Sequence, residues 1–118
     1  MSNWTEWRKL AEKNEWFNDE LDHDGPSCYE LGIGGPNGGN IQSKYVGETK
    51  NEKKRMSQYA ADGSHLSFFI NDALRKGWSL YYRGQAMKSK ADAKKMQDNL
   101  LLRFKYDWNT QLNEDDED

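Results

Sequence analysis

The 118-residue sequence has one cysteine, Cys28, and two prolines. A lone cysteine excludes an internal disulfide and a Cys-based zinc site, and fits a reducing compartment. No apolar run approaches the roughly 18 residues of a membrane span. The opening MSNWTEWRKL lacks the apolar core of a signal peptide, so the expectation is an intracellular protein, in cytoplasm or nucleus, with no membrane partner. Hydrophobic residues are scarce at 35%, yet aromatics reach 13%, so a few large rings must supply much of the buried area. The length suits one core and is short for two domains of ordinary size.

The formal net charge of -3 conceals an uneven distribution. Between Lys44 and Lys105 there are fourteen Lys or Arg against six acids, a surplus of +8, whereas the last five residues are all acidic. A basic body between acidic ends is the electrostatic footprint of polyanion binding.

Trp4, Trp7, Leu10, Ala11, Trp16, Phe17 and Leu21 recur mostly at spacings of three or four. That spacing predicts an amphipathic helix over residues 3–21, packed on the body. Asp24-Gly25-Pro26 would stop it. Residues 28–33 and 44–48 read as two strands joined across the glycine-rich turn GGPNGGNIQS. Thr49 is a candidate cap for a helix from about Asn51 to Ala61 that ends at Asp62-Gly63. Ser64 precedes a second helix that Gly77 terminates, and residues 78–83 form a third strand. Ser89, with Asp92 three residues on, opens a helix running to about Lys105. The expected fold is α+β, a three-stranded antiparallel sheet flanked by helices in the order (α)ββααβα. The expected organisation is a helical extension (1–25), one domain (26–113) and a disordered acidic tail (114–118).

The order of elements and the residues on them resemble the GIY-YIG nuclease family. Its Gly-Ile-Tyr motif appears here as Ser27-Cys28-Tyr29 and its Tyr-Ile-Gly motif as Tyr45-Val46-Gly47. Arg55 and Tyr59 follow on the first helix of that domain, and Asn109 follows the last. The resemblance covers about residues 26–113 and implies a metal-dependent DNA endonuclease of the α/β sandwich type. It implies catalytic roles for Tyr29, Tyr45, Arg55, Tyr59, Asn109 and the residue at position 97. One Mg²⁺ or Mn²⁺ is the implied cofactor.

Such a site hydrolyses a phosphodiester by in-line attack of water. Either Tyr29 or Tyr45 can be the base if the field of Arg55 or Lys44 lowers its pKa. Arg55 offers a planar fork of donors for phosphate oxygens, and Tyr59 on the same helical face adds one more. Lys44, Gly47, His65, Arg83, Lys88 and Lys90 are candidate DNA contacts.

Position 97, where the family carries a metal-binding glutamate, holds Gln97. Ala93, Gln97, Leu101, Phe104 and Trp108 are expected to share one inward stripe. An amide there keeps the shape of a glutamate but not the charge that holds Mg²⁺. Two accounts stand: an engineered inactivation that traps substrate, which is favoured because every other functional position is present, or a natural inactive relative that only binds. The competing functions are a noncatalytic DNA-binding or regulatory module and a protein-interaction domain using the Trp-rich helix. That helix is also a candidate homodimer interface, although a monomeric nicking enzyme is equally compatible.

Overall fold

The computed structural model describes residues 4–13, 15–17, 21, 23–60 and 64–112. Along these residues the elements are β1 (Arg8–Glu12), β2 (Glu15–Trp16), β3 (Ser27–Gly34), β4 (Gln42–Thr49) and α1 (Glu52–Ala60). They continue with α2 (Ser67–Arg75), β5 (Ser79–Ala86), α3 (Lys90–Arg103) and α4 (Asp107–Leu112). The strands form one antiparallel sheet in the spatial order β2-β1-β5-β3-β4. The Asp62-Gly63 stop and the tail 114–118 lie outside the described residues.

The α+β class and the β3–β4 hairpin agree with the sequence reading, but the sheet has five strands, not three. The first part of the expected N-terminal helix is instead a hairpin, with Ala11 opposite Trp16, and β1 pairs with β5. Residues 14, 18–20 and 22 of that stretch lie outside the description. The helical spacing misled because β1 carries an irregularity between Lys9 and Ala11. A bulge of this kind breaks the two-residue alternation, and Leu10 and Ala11 are both fully buried. Backbone pairing with the edge of β5 outweighs local periodicity.

The helix starts follow side-chain chemistry, with one shift. Thr49 Oγ1 accepts from the Asn51 amide at 3.1 Å, and Asn51 Oδ1 accepts from the Lys54 amide at 2.9 Å, so Asn51 rather than Thr49 caps α1. Ser89 caps α3 by accepting from the Asp92 amide, as expected. Gly77 ends α2 at a φ of +95°, a left-handed conformation that glycine adopts without steric cost. The glycine-rich turn is tied down, since the Gly35 amide donates to Gly39 O and the Tyr81 hydroxyl donates to Gly35 O.

Alternation along β3 and β4 sorts side chains into two cores. Tyr29, Leu31 and Tyr45 face α1 and α2 and join Met56, Tyr59, Leu66 and Ile70. Cys28 and Val46 face α3 and join Leu100, with Met96 packed against them. The inward stripe of α3 is therefore Ala93, Met96 and Leu100. Leu101 and Phe104, expected to point inward, are 37% and 54% exposed. The helix also ends at Arg103, where Phe104 turns extended, so Trp108 belongs to a separate α4.

That last helix wraps the edge of the sheet. Tyr106 is buried in the α3-side core, and Trp108 in the opposite one, stacked on Phe69 at 5.7 Å. Between them Asn109 straddles β4: its Oδ1 accepts from the Val46 amide at 2.9 Å and its Nδ2 donates to Val46 O at 3.0 Å. Asn109 thus acts as a one-residue strand that satisfies outward-facing groups of an edge strand.

Each such bond contributes on the order of 0.5–1.5 kcal/mol net, so Asn109→Ala should cost about 1–3 kcal/mol. Thermal unfolding should show a midpoint several degrees lower, with Asn109→Asp intermediate because it keeps the acceptor and loses the donor. An unchanged midpoint in both variants would remove the strand-bridging role.

Candidate functional site

Strand β3 is central on this part of the sheet, and its Tyr29 has a glycine on each side: Gly47 on β4 and Gly84 on β5. A Cβ at Gly47 would lie 2.5 Å from the Tyr29 hydroxyl oxygen and 2.9 Å from Tyr45 Cε2. A Cβ at Gly84 would run into the Glu52 carboxylate. The two missing side chains open a slot in the sheet face, and α1 fills it. Glu52, Arg55, Met56 and Tyr59 stand at spacings of three and four, so they share the helical face turned toward Tyr29.

Within the slot the Tyr29 and Tyr59 hydroxyls are 2.6 Å apart, and Arg55 Nη1 donates to the Tyr29 hydroxyl at 3.4 Å. Tyr45, whose ring centroid is 6.2 Å from that of Tyr29, places its hydroxyl 3.3 Å from His65 Nε2. The three tyrosines are buried, whereas Arg55 is half-buried and His65 exposed. A ligand entering from solvent therefore meets the guanidinium and the imidazole first, with hydroxyls behind them.

Burial pushes the Tyr59 hydroxyl well above its ordinary value of 10.0, and the neighbouring Tyr29 and Tyr45 add to the rise against an opposing pull from Arg55. Tyr59 therefore stays protonated at neutral pH and serves as a hydrogen-bonding group, not as a base. On the other side of the sheet, burial followed by the charges of Glu30 and Glu48 raises the Cys28 thiol to about 12. Such a thiol is inert as a nucleophile.

The other sequence-predicted residues spread over three places. His65 and Gly47 adjoin the tyrosines. Lys44 and Asn109 sit at the β4–α4 edge, where Lys44 Nζ lies 3.2 Å from Asp107 Oδ2. On the α3 side, Lys90 pairs with Glu48 at 2.7 Å, and Arg83 pairs with the buried Glu30 at 2.8 Å. Lys88 is exposed just before α3. Gln97 is half-buried on α3, in the layer across the sheet from α1.

Glu52 and Gly84 are not legible as site residues in the sequence. Their only traces there are the spacing of three from Glu52 to Arg55 and the glycine interrupting the bulky run of β5. Trp4 and Trp7, expected on a helix packed against the body, lie over the Arg83 guanidinium at 4.8 and 4.5 Å.

A divalent ion held by a protein carboxylate does not fit at position 97, because the amide of Gln97 is neutral. Among the described residues there is also no group of three or more His, Cys, Asp and Glu placed to hold a metal.

Comparison with known proteins points one way. Residues 2–117 match the family model of GIY-YIG domain-containing proteins. The chain is similar to Protein EFFECTOR OF TRANSCRIPTION 3 of Arabidopsis thaliana, with 31% identity over an alignment covering 90% of this chain and 49% of that protein. It thus spans about half the length of the curated relative it matches. No solved structure matches the chain.

The raised groups fix the alkaline behaviour. Tyr59, Tyr106 and Cys28 are all pushed above unfolded values of 10.0, 10.0 and 9.0. Their contribution to stability is full below those unfolded values and is lost as pH rises toward the folded ones, because the unfolded chain deprotonates first. The denaturation midpoint should stay level to about pH 9 and then fall. Tyr59→Phe should fall less steeply, after a loss of about 1–2 kcal/mol at neutral pH from the severed hydroxyl pair. An equally steep alkaline decline in Tyr59→Phe would overturn the assignment.

Proposed function

Because the chain belongs to the GIY-YIG domain family, and its motifs resemble those of the nucleases in it, we propose that it binds DNA through a phosphodiester held at the tyrosine slot, with metal-dependent hydrolysis withheld at Gln97. The carrying observation is the Tyr29–Tyr59 hydroxyl pair at 2.6 Å with Arg55 at its mouth. A guanidinium presents parallel donors to two phosphate oxygens. In a low-dielectric slot those donors act on charge far more strongly than in water.

The residues divide the work. Arg55 clamps the phosphate, Tyr59 and Tyr29 supply hydroxyl contacts, and His65 orients Tyr45 at the solvent side. Tyr29 and Tyr45 both remain candidate bases, since Tyr59 is kept neutral by burial. The missing part is a charged ligand for Mg²⁺ or Mn²⁺, the ion that in such hydrolysis stabilises the leaving oxygen. Gln97 supplies an amide where the resemblance expects a glutamate, and it stands on α3, across the sheet from α1, so this reading requires the ion to sit at the β4 edge between the two layers. Binding needs the donors alone, so it survives the replacement.

A second reading, a regulatory DNA-binding module with no hydrolytic step, draws support from the neutral residue at position 97 and from the likeness to a plant protein named as an effector of transcription. The two readings separate on one comparison.

Plasmid nicking with Mg²⁺ or Mn²⁺, and DNA binding by fluorescence anisotropy, should be measured for the chain, for Gln97→Glu, and for Gln97→Glu carrying Arg55→Ala. The first two should bind alike, with affinity falling as salt rises because phosphate contacts release counterions. Only Gln97→Glu should nick, and adding Arg55→Ala should abolish nicking and weaken binding about tenfold, the scale of one charge-assisted contact. If both forms bind and neither nicks, the regulatory reading stands in place of the nuclease. If neither binds, the DNA assignment itself fails.

A further inference from the structure

The face of the sheet opposite the tyrosine slot carries a second polar centre. Glu30, only 3% exposed, follows Tyr29 on β3 and so points to the α3 side. Its Oε1 accepts from Arg83 Nε at 2.9 Å and from Ser43 Oγ at 3.0 Å, with Arg83 Nη2 at 2.8 Å. Its Oε2 accepts from the Tyr106 hydroxyl at 2.5 Å. Arg83 in turn lies against the rings of Trp4 and Trp7. Trp4, Glu30, Ser43, Arg83 and Tyr106 border an open cavity of about 390 Å³ whose remaining lining is Leu100, Phe104 and Lys105.

The lining decides what the cavity can take. Both Glu30 oxygens are engaged, so the carboxylate is not available to bind a metal or an organic cation. Burial, then the contact with Glu30, holds the Tyr106 hydroxyl above its ordinary range, so it remains a donor. Glu30 and Arg83 neutralise each other, which leaves Lys105 as the surplus positive charge. An anion is therefore favoured. Trp4, Phe104 and Tyr106 supply flat apolar walls, and Phe104 is 54% exposed, with the Arg103 guanidinium 5.8 Å from its ring centroid. The volume falls in the range of about 300–1,000 Å³ typical of small-ligand sites.

We propose that this cavity is a second binding site, for a nucleotide unit: a base stacked on the Phe104 and Trp4 rings with its phosphate on Lys105 and the outer edge of Arg83. Stacking on an aromatic side chain tolerates any base, and an exposed lysine beside a guanidinium suits a phosphate. The unit is either a free nucleotide or one nucleotide of a single strand, which share this chemistry. The site is independent of the tyrosine slot, because alternation along β3 puts Tyr29 and Glu30 on opposite faces of the sheet.

The test titrates the full chain with AMP, with the single strand (dT)6 and with inorganic phosphate, following tryptophan fluorescence and backbone amide shifts. Phe104→Ala and Lys105→Ala alter exposed side chains, and thermal melts confirm that each variant folds; Arg55→Ala reports on the opposite face. Saturable shifts at the Phe104, Lys105 and Tyr106 amides are expected, each substitution weakening binding by about fivefold or more, the low end of one base–aromatic stack. Saturation by AMP identifies a free nucleotide, and saturation by (dT)6 alone identifies a strand. Binding that phosphate matches, that ignores Phe104→Ala and Lys105→Ala, that disappears with Arg55→Ala, or that never saturates overturns the proposal.

Discussion

A tyrosine in the middle of a sheet is normally hemmed in by the side chains beside it. Here Tyr29 is flanked by Gly47 and Gly84 on its two partner strands, and much of the molecule depends on that spacing. A methyl at either position would meet the Tyr29 hydroxyl or the Glu52 carboxylate. With both absent, α1 comes close enough for the Tyr59 hydroxyl to reach that of Tyr29 and for Glu52 to fill the space above Gly84. The sheet therefore carries a polar pocket on a face that is otherwise a hydrophobic core. The cost of burying hydroxyls there is offset by their pairing with one another and with Arg55.

The same strand serves the other face. Glu30 follows Tyr29, so one residue step along β3 separates a hydroxyl and guanidinium cluster from a carboxylate and guanidinium cluster. Both are covered by late or early segments of the chain. Tyr106 and Trp108 close opposite sides of β4 while Asn109 bonds its edge, and Trp4 and Trp7 close over Arg83. A buried Arg–Glu pair is a weak source of net stability, but losing one partner leaves an uncompensated charge and costs several kcal/mol. The N-terminal tryptophans and the α4 segment are thus held by polar centres that tolerate little change.

Much of this was legible in residues 26–112, because the signals there are local. A glycine-rich turn between two extended runs gives a hairpin, Ser89 with Asp92 gives a helix start, and Gly77 gives a helix stop. The tyrosine, arginine and histidine positions of the slot follow once α1 is set against β3 and β4. What escaped was non-local. The aromatic spacing of residues 4–21 fits a helix, and only the open edge of β5 and the irregularity at Lys9 and Ala11 turn it into strands. The outward exposure of Leu101 and Phe104 follows from α3 ending at Arg103, where a longer helix was expected. Gly84 and Glu52 gain meaning only when β5 lies beside β3, a pairing across more than fifty residues of chain.

The chemistry of the slot separates binding from cleavage. Holding a phosphate requires donors at fixed positions, which in the proposed reading are Arg55 and the tyrosine hydroxyls. Breaking the ester adds a proton acceptor and a charge that stabilises the leaving oxygen. Tyr59 cannot be that acceptor, since burial keeps its proton in place. Tyr29 shares a hydroxyl–hydroxyl bond with it, so its own proton is constrained by the same pair. Tyr45 is bonded to the exposed His65 at 3.3 Å, and both it and Tyr29 stay candidate bases in the proposed reaction. On the proposed reading the donors are kept and the metal carboxylate is an amide, so recognition of a phosphodiester survives where its hydrolysis does not.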